Sequence, residues 1–570
     1  MTSSVESDWV SRFADEVIAE ADRRAPGKPI VCASGLSPSG PIHLGNLREV
    51  MTPHLVADEI RRRGRECVHI ISWDDYDRYR KVPFIEGLDR EAWAEHIGKP
   101  LTAVPAPPGS SFPNWAEHFK AAMIDSLAEL GVVFRGISQT SMYTSGAYRD
   151  QILLAMRQRA KIDEILGRYR TKAPLSKRET DEAAAEAAEG SGAASEDDGG
   201  SATGYYPYKP YCTACNKDLT TVTAYDDETT EMSFTCGACG HAETVLLSEF
   251  NHGKLVWKVD WPMRWAYEGV VFEPSGVDHS SPGSSFVVGG QIVKEIFGGE
   301  QPIGPMYAFV GIVGMAKMSS SKGGVPTPAD AMRIMEAPLL RWLYARRRPN
   351  QSFKVAFDQE IQRLYDEWDS LAGKAAAGTA PPADAIAFDR ARRTAEIELP
   401  ATPRPLPYRM LASVADITTG EPTQMLRILH EIDPSRPIDS LDEVRPRLDK
   451  ATAWAAEQLP VDQRTRVLDK PDVELLDSLD ADQRRSLDLL LAGLAEHWSL
   501  EGLTTLVYGV PKQMLGLPMD VKPTAELKVV QRTFFVLLYR LLVGKETGPR
   551  LPTLLLATGA ERVRALLSGN

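Results

Sequence analysis

The sequence predicts an α/β domain built on a parallel sheet, interrupted by a cysteine-bearing insert and followed by an all-α C-terminal domain. Three observations predict it. Short apolar runs alternate with helix-spaced segments over the first hundred residues, two Cys-x-x-Cys pairs follow, and from about Ala329 the spacing is helical to the end. At 570 residues the chain is too long for one core, and 43% hydrophobic with 25% charged residues is ordinary for a globular protein.

PIVCA (29–33) reads as the first strand. SGLSPSGPIHLGNLRE (34–49) is a turn almost bare of large side chains, with His43 among its glycines and serines. NLREVMTPHLVADEIRRRG has helical spacing at Leu47, Val50, Leu55 and Ile60, and CVHIIS is a second strand ending in WDDYDRYRKVP. Strand–helix–strand with short links is a parallel unit. HFKAAMIDSLAEL and YRDQILLAMRQRAKIDEIL read as helices, while KLVWKVDW, GVVFEPSG and SSFVVGG read as strands. SKRETDEAAAEAAEGSGAASEDDGGSATG has the composition of a disordered insertion, and AGKAAAGTAPPADA (372–385) that of a link. The expected layout is catalytic-domain halves at 1–110 and 251–330, an inserted region at 111–250 with disorder at 172–204 and a cysteine module at 205–250, a helical region at 331–385, and a helical domain at 386–570.

Cys212, Cys215, Cys236 and Cys239 form two pairs with 20 residues between them, the pattern of a four-thiolate structural zinc site. Two disulfides or a redox dithiol are the rival readings; a reducing compartment disfavours the first, and a redox motif needs only one pair. Cys32 and Cys67 lie in apolar strands and read as buried thiols. No basic segment followed by an apolar core opens the chain and no run is apolar enough to span a bilayer, so a cytoplasmic location is expected. The net charge of −13 excludes a uniformly basic surface but not a local basic groove.

A bare turn entering a helix favours phosphate through unpaired N–H groups, and His43 adds a donor. It lacks the lysine of a phosphate loop and the spacing of a dinucleotide fingerprint. A second loop, AKMSSSKGG (316–324), carries Lys317 and Lys322, suited to charge developing on a triphosphate. Together the two stretches resemble the HIGH and KMSKS signatures of class I aminoacyl-tRNA synthetases, as His43-Leu44-Gly45-Asn46 and Lys317-Met318-Ser319-Ser320-Ser321. Asn46 replaces the second histidine of the pattern, and Ser320 its second lysine, a charge that Lys322 is expected to supply. ISWDDYDRYRKVP, WPMRWAYEGVVFEPSGVDHSSPGSSF, LLRWLYARRRPNQSF and GKETGPRLPTLLLATGAERVRALL resemble the class I lysyl-tRNA synthetase family.

The resemblance implies the class I synthetase nucleotide-binding fold and an enzyme that activates L-lysine with ATP and transfers it to tRNA(Lys), with Mg2+ accompanying ATP. It implies catalytic roles for His43, Asn46, Lys317 and Lys322, and ATP contacts from Ser39, Gly40, His43, Gly45, Asn46, Asp278, Lys317, Met318, Ser319 and Ser320. A lysine pocket needs acids for the ammonium groups and apolar walls for the stem. Gly35, Ser37, Glu49, Asp74, Asp75, Trp257, His279 and Tyr307 are its candidates. Arg346, Arg347 and Arg348, beside Trp342 and Tyr344, suit contact with tRNA phosphates. Lys522, Lys528, Arg532, Arg540 and Lys545 suit an anticodon surface, and the resemblance makes 386–570 the anticodon-binding domain. Neither membrane nor DNA is expected as a partner. The rival readings are a synthetase of the same class for another amino acid such as glutamate, whose pocket would need facing cations, and a non-catalytic zinc-ribbon protein that binds tRNA.

Overall fold

The computed structural model describes residues 8–170, 200–201, 204–277, 284–313 and 324–569. The chain divides into two units: Met1–Met332 with Ala337–Val355 and Lys374–Leu399, and Arg333–Glu336 with Ala356–Gly373 and Pro400–Asn570.

In the first unit, α1 (Trp9–Arg24) starts on an Asp8 cap and buries Val10, Ala14, Val17 and Ala21 along one stripe. β1 (Ile30–Leu36) leads through the glycine- and serine-rich turn into α2 (Leu47–Arg62), and β2 (Cys67–Trp73) lies parallel to β1 with Ile30 opposite Cys67 and Leu36 opposite Trp73. After α3 (Trp115–Glu129), β3 (Arg135–Ser138) extends the sheet beside β2. The insert's hairpin sheet, β4 (Thr220–Tyr225), β5 (Glu231–Cys236) and β6 (Ala242–Leu246), is antiparallel. The chain then returns through α4 (Trp257–Glu268) to β7 (Val270–Phe272), which pairs in parallel with the free edge of β1. The sheet order is thus β7-β1-β2-β3, all parallel. Cys32 and Cys67 meet across β1 and β2 as buried free thiols, their sulfurs 3.7 Å apart.

Two segments expected to be strands are helices. In KLVWKVDW the strand covers only Gly253–Leu255, and α4 begins at Trp257. Its tryptophans, 257, 261 and 265, recur every four residues, a helical period that outweighs their β propensity. SSFVVGG forms the start of α5 (Ser285–Glu295), which buries Val288, Ile292 and Val293. Gly289 is there for close packing: a Cβ would lie 3.0 Å from the Trp265 ring. The helical run expected beyond residue 329 is broken by β9 (Phe353–Val355), which pairs in parallel with β8 (Val310–Ile312). The expected link at 372–385 is mostly helix, since one helix runs to Ala376 and the next starts at Pro382. The insertion expected to be disordered lies almost wholly outside the described residues; at its end Gly200–Ser201 pairs with Gly204–Tyr205.

The second unit is helical throughout its described residues. Inside it Arg447 binds Glu336 at 2.8 Å and Asp369 at 2.8 Å, and Thr402 donates to Glu336 at 2.7 Å. Tyr365 and Tyr408 stack at 4.1 Å.

Gly289→Val is expected to push the Trp265 ring and cost about 1–3 kcal/mol of stability. Chemical denaturation of the variant against the parent checks this; an unchanged midpoint would contradict the close packing.

Candidate active site

The carboxyl ends of all four parallel strands open into one cavity, where open α/β sheets place ligands. Ala33 to Ser37 come from the end of β1, Ser72 and Asp74 from β2, Gln139 from β3, and Glu273 to Gly276 from beyond β7. Trp257, Trp261, Arg264 and Trp265 of α4 form one wall, with Tyr307 and the Ser39–Ile42 turn among the other lining residues. Of the residues expected to bind lysine, Gly35, Ser37, Glu49, Asp74, Trp257 and Tyr307 meet here. Of those expected to bind ATP, Ser39, Gly40 and Asn46 line the same cavity, while His43 and Gly45, in the same turn, are not among its lining residues. His279, Asp278, Lys317, Met318, Ser319, Ser320 and Lys322 lie outside the described residues.

Asp75 is placed apart. It is fully buried, accepts the Thr140 N–H at 2.8 Å and pairs with Lys120 at 3.0 Å. Its neighbour Asp74 faces the cavity and receives Arg264 at 2.6 Å. Arg264 also binds Asp260, which accepts the Tyr143 hydroxyl at 2.5 Å. Lys254 continues the chain of charges by pairing with Asp77 and lying 3.6 Å from Asp260. Arg264 is the one cation among the described lining residues, and its guanidinium is already committed to two carboxylates.

Two acids in the cavity have no such partner. Glu49, in the first turn of α2, accepts the Gly35 N–H at 3.3 Å and hydrogen-bonds Tyr307. Glu273 accepts indole N–H groups from Trp261 at 3.0 Å and Trp265 at 2.6 Å. Neither forms an ion pair among the described residues. Desolvation raises Glu49 to about 8, with the Glu273 charge adding to it, and burial raises Glu273 to about 7. Burial also lifts Asp74 to about 6 against the pull of Arg264. Near pH 7 Glu49 therefore tends to keep its proton, and a cationic ligand would favour the charged carboxylates.

The His43 turn differs from the expectation of unpaired helix-start donors. Gly45 N–H donates to His43 Nδ1 at 3.1 Å, Asn46 N–H to His43 O at 3.0 Å, and Leu44 N–H to Pro326 O at 2.8 Å. Leu47 N–H is also taken, because a 3₁₀ turn runs straight into α2 and folds its donors back on itself. These four N–H groups are therefore engaged, and the histidine side chain offers a further donor. Desolvation pulls His43 down to about 4, so its ring is neutral near pH 7. With Nδ1 accepting, Nε2 carries the proton, and this buried atom has no hydrogen-bond partner among the described residues. The Leu44–Pro326 bond also ties the chain just beyond the lysine-bearing stretch to this turn.

The basic run is structured from beneath. Arg346 stacks on Trp342 at 3.9 Å, Arg347 lies 5.1 Å from Phe353, and Arg348 is exposed. Arg48, in the first turn of α2, donates to the carbonyls of Arg348 and Pro349, each at 2.6 Å. Among the basic tail residues, Lys528 and Arg532 are exposed, Arg540 pairs with Glu546, and Lys545 caps the carbonyls of Asp462 and Arg464.

Sequence reasoning missed Arg264, Glu273 and Arg48. Only Arg264 had a local signal, four residues after Asp260 on one helix face.

In the insert the four cysteine sulfurs lie within 4.8 Å of one another. Cys212–Cys239 and Cys215–Cys236 are separated by 3.6 and 3.7 Å, close to the ~3.8 Å edge of a zinc–thiolate tetrahedron with ~2.3 Å bonds. Each Cys-x-x-Cys is followed by a left-handed residue, Asn216 (φ 61°) and Gly240 (φ 75°), whose N–H closes the knuckle onto the first cysteine's carbonyl. N–H groups of Ala214 and Cys215 point at the Cys212 sulfur, and those of Ala238 and Cys239 at Cys236, the charge pattern thiolates need. The residues fit a metal.

A parallel sheet with a bare histidine turn, acids at the strand ends and a knuckled insert defines a class I synthetase, and the family of tRNA synthetases class I (K) matches residues 7–397. The chain belongs to that family. It is similar to the lysine–tRNA ligase of Streptomyces coelicolor, 73% identical over 99% of both chains. The lysine–tRNA ligases of Pyrococcus horikoshii and Treponema pallidum are 32% and 30% identical, each over at least 96% of both chains. The family uses ATP and Mg2+. Among the described residues no helix is long and apolar enough to cross a membrane.

Raised carboxylate pKa values fix a sign for stability. Glu49 binds its proton more tightly folded than unfolded, so its contribution is full below about 4.5 and is lost as pH rises through about 8. The melting temperature of ligand-free protein should fall from pH 5 to pH 9 more steeply than that of Glu49→Gln. Parallel curves in a calorimetric pH series would contradict a proton held by Glu49 in the folded state.

Proposed function

We infer that the protein is a lysine–tRNA ligase of class I, and the observation that carries this is the charge of the cavity. Among the described residues Glu49 and Glu273 face it without an ion pair, and its one described cation is already bound by Asp74 and Asp260. A glutamate side chain would need the opposite field. The stacked indoles of Trp257 and Trp261, with ring centroids 5.1 Å apart, offer an apolar wall for a lysine stem. Full-length similarity to curated lysine–tRNA ligases supports the same substrate.

The lysine carboxylate attacks the α-phosphate of ATP, giving lysyl-adenylate and pyrophosphate; the terminal ribose of tRNA(Lys) then attacks the mixed anhydride. Catalysis is positioning and charge stabilisation without a covalent enzyme intermediate. Gly35 and Ser37 floor the amino-acid end, and Glu49 and Asp74, with His279, serve its ammonium groups. Ser39, Gly40, Gly45 and Asn46 border the nucleotide with Asp278, and neutral His43 donates from Nε2. Lys317 and Lys322, beside Met318, Ser319 and Ser320, stabilise the departing pyrophosphate, and Mg2+ neutralises the triphosphate when bound. Asp75 is a support for the Asp74 loop through Lys120 and Thr140. Arg346, Arg347 and Arg348 serve the tRNA backbone, residues 386–570 the anticodon, and the cytoplasm is the site of action.

Zinc is the metal we assign to the four cysteines, held structurally because four thiolates leave no open position. Its contribution is to order the insert.

Amino-acid-dependent pyrophosphate exchange across the twenty amino acids tests the assignment: lysine alone should support it, and exchange with glutamate instead would overturn it. Lys317→Ala should slow adenylate formation by about 100-fold or more while leaving lysine binding nearly intact, measured by single-turnover kinetics and calorimetry. His43→Ala should lose rate without losing its melting temperature. Cys212→Ser should release one equivalent of zinc and raise protease cutting within 205–250; finding no metal in the parent protein by elemental analysis would rule the site out.

A further inference from the structure

Glu273 was absent from every sequence-based expectation, yet its surroundings are specialised. Both carboxylate oxygens are occupied, one by each of two indoles from the same helix. Those indoles belong to a ladder, Trp257, Trp261 and Trp265, stepping up one face of α4, with neighbouring centroids 5.1 and 5.0 Å apart. Trp265 is wedged at the far end by Phe286 and by the bare Gly289 backbone. Trp257, at the near end, lines the cavity with its indole N–H buried and without a partner among the described residues. The backbone of Glu273 is pinned as well, donating to Ile303 O at 3.0 Å. A carboxylate held by two neutral donors keeps its charge uncompensated, whereas an ion pair would cancel it. A hydrophobic residue there would leave two buried indole donors unpaired.

We propose that Glu273 is a positioning and specificity-determining residue of the side-chain subsite: its carboxylate clamps Trp261 and Trp265 so that Trp257 stands as the subsite wall, and its uncancelled charge makes that subsite demand a cationic side chain. The proposal rests on reading the cavity as the lysine site. Its electrical neighbours are Glu49 from α2 with the Tyr307 hydroxyl, Asp74 beyond β2, and Arg264 and Glu268 from α4; Arg264 is held by Asp74 and Asp260, and Glu268 pairs with Arg135. Glu273 and Glu49 are thus like charges sharing one desolvated space, and each makes the other hungrier for an ammonium group.

The test is lysine-dependent pyrophosphate exchange by the full-length protein from pH 6 to 9, with norleucine as the uncharged competitor. Glu273→Gln keeps the size but removes the charge and turns one acceptor into a donor facing an indole. Its lysine KM should rise at least about tenfold with kcat little changed, and discrimination against norleucine should shrink by a similar factor. The pH midpoint of kcat/KM for lysine should move down, because Glu49 loses its like-charged neighbour. Trp261→Phe keeps the carboxylate and removes one donor; its lysine KM should rise near pH 7 and recover towards pH 9. A Glu273→Gln protein with the parental pH midpoint and parental discrimination would overturn the proposal. Should that variant not fold, a Trp261→Phe protein whose KM follows the parental pH profile would overturn it equally. A parent protein that exchanges pyrophosphate with no lysine dependence would instead overturn the lysine reading itself.

Discussion

The structure depends on carboxylates gathered where the parallel strands end. Four strands must leave their carboxyl ends at one edge of the sheet, and here that edge carries Glu49, Asp74 and Glu273 around a single cavity. Burying an unpaired carboxylate costs several kcal/mol, so each acid needs an answer. Asp74 has Arg264, Glu273 has two indole donors, and Glu49 has a backbone N–H and a phenol. The last two answers are neutral, and the residual charge is the site's affinity for a cation.

The same economy shapes the nucleotide end. Its turn is closed by its own hydrogen bonds and by Pro326. Among the described residues His43 Nε2 is left as an unpaired donor, and Asn46 stands on the cavity wall. Arg48 locks the chain of the arginine run to the helix that carries Glu49, linking the proposed tRNA contact and the amino-acid pocket through one helical turn.

Much of this was legible in the sequence because it is local. The strand–turn–helix–strand start, the two knuckles and the helical tail follow from period and spacing, and the structure shows each of them. The tryptophan-rich segment misled because Trp and Val favour strands, while the four-residue recurrence that makes it a helix becomes decisive only once its partners on the sheet are known. SSFVVGG misled for a related reason: its glycines look like a strand end, but Gly289 admits the Trp265 ring and Gly290 the Gln301 side chain. Of the site, Glu49 and Asp74 could be found from their positions after a turn and a strand. Glu273 could not, since its meaning lies in indoles 8 and 12 residues away along the chain that only folding brings to its two oxygens. Asp75 looked equivalent to Asp74, but adjacent residues at a strand end face opposite ways, and Asp75 turns to Lys120.

The most direct measurement is the proton balance of lysine binding. Titration calorimetry at pH 7.5 in buffers of different ionisation enthalpy reads how many protons leave when lysine enters. Carboxylates raised to about 8 and about 7 predict a substantial fraction of a proton released per lysine bound, diminishing as the pH is raised towards 9. Binding with no proton release at either pH would contradict the claim that uncompensated acids at the sheet edge select the substrate.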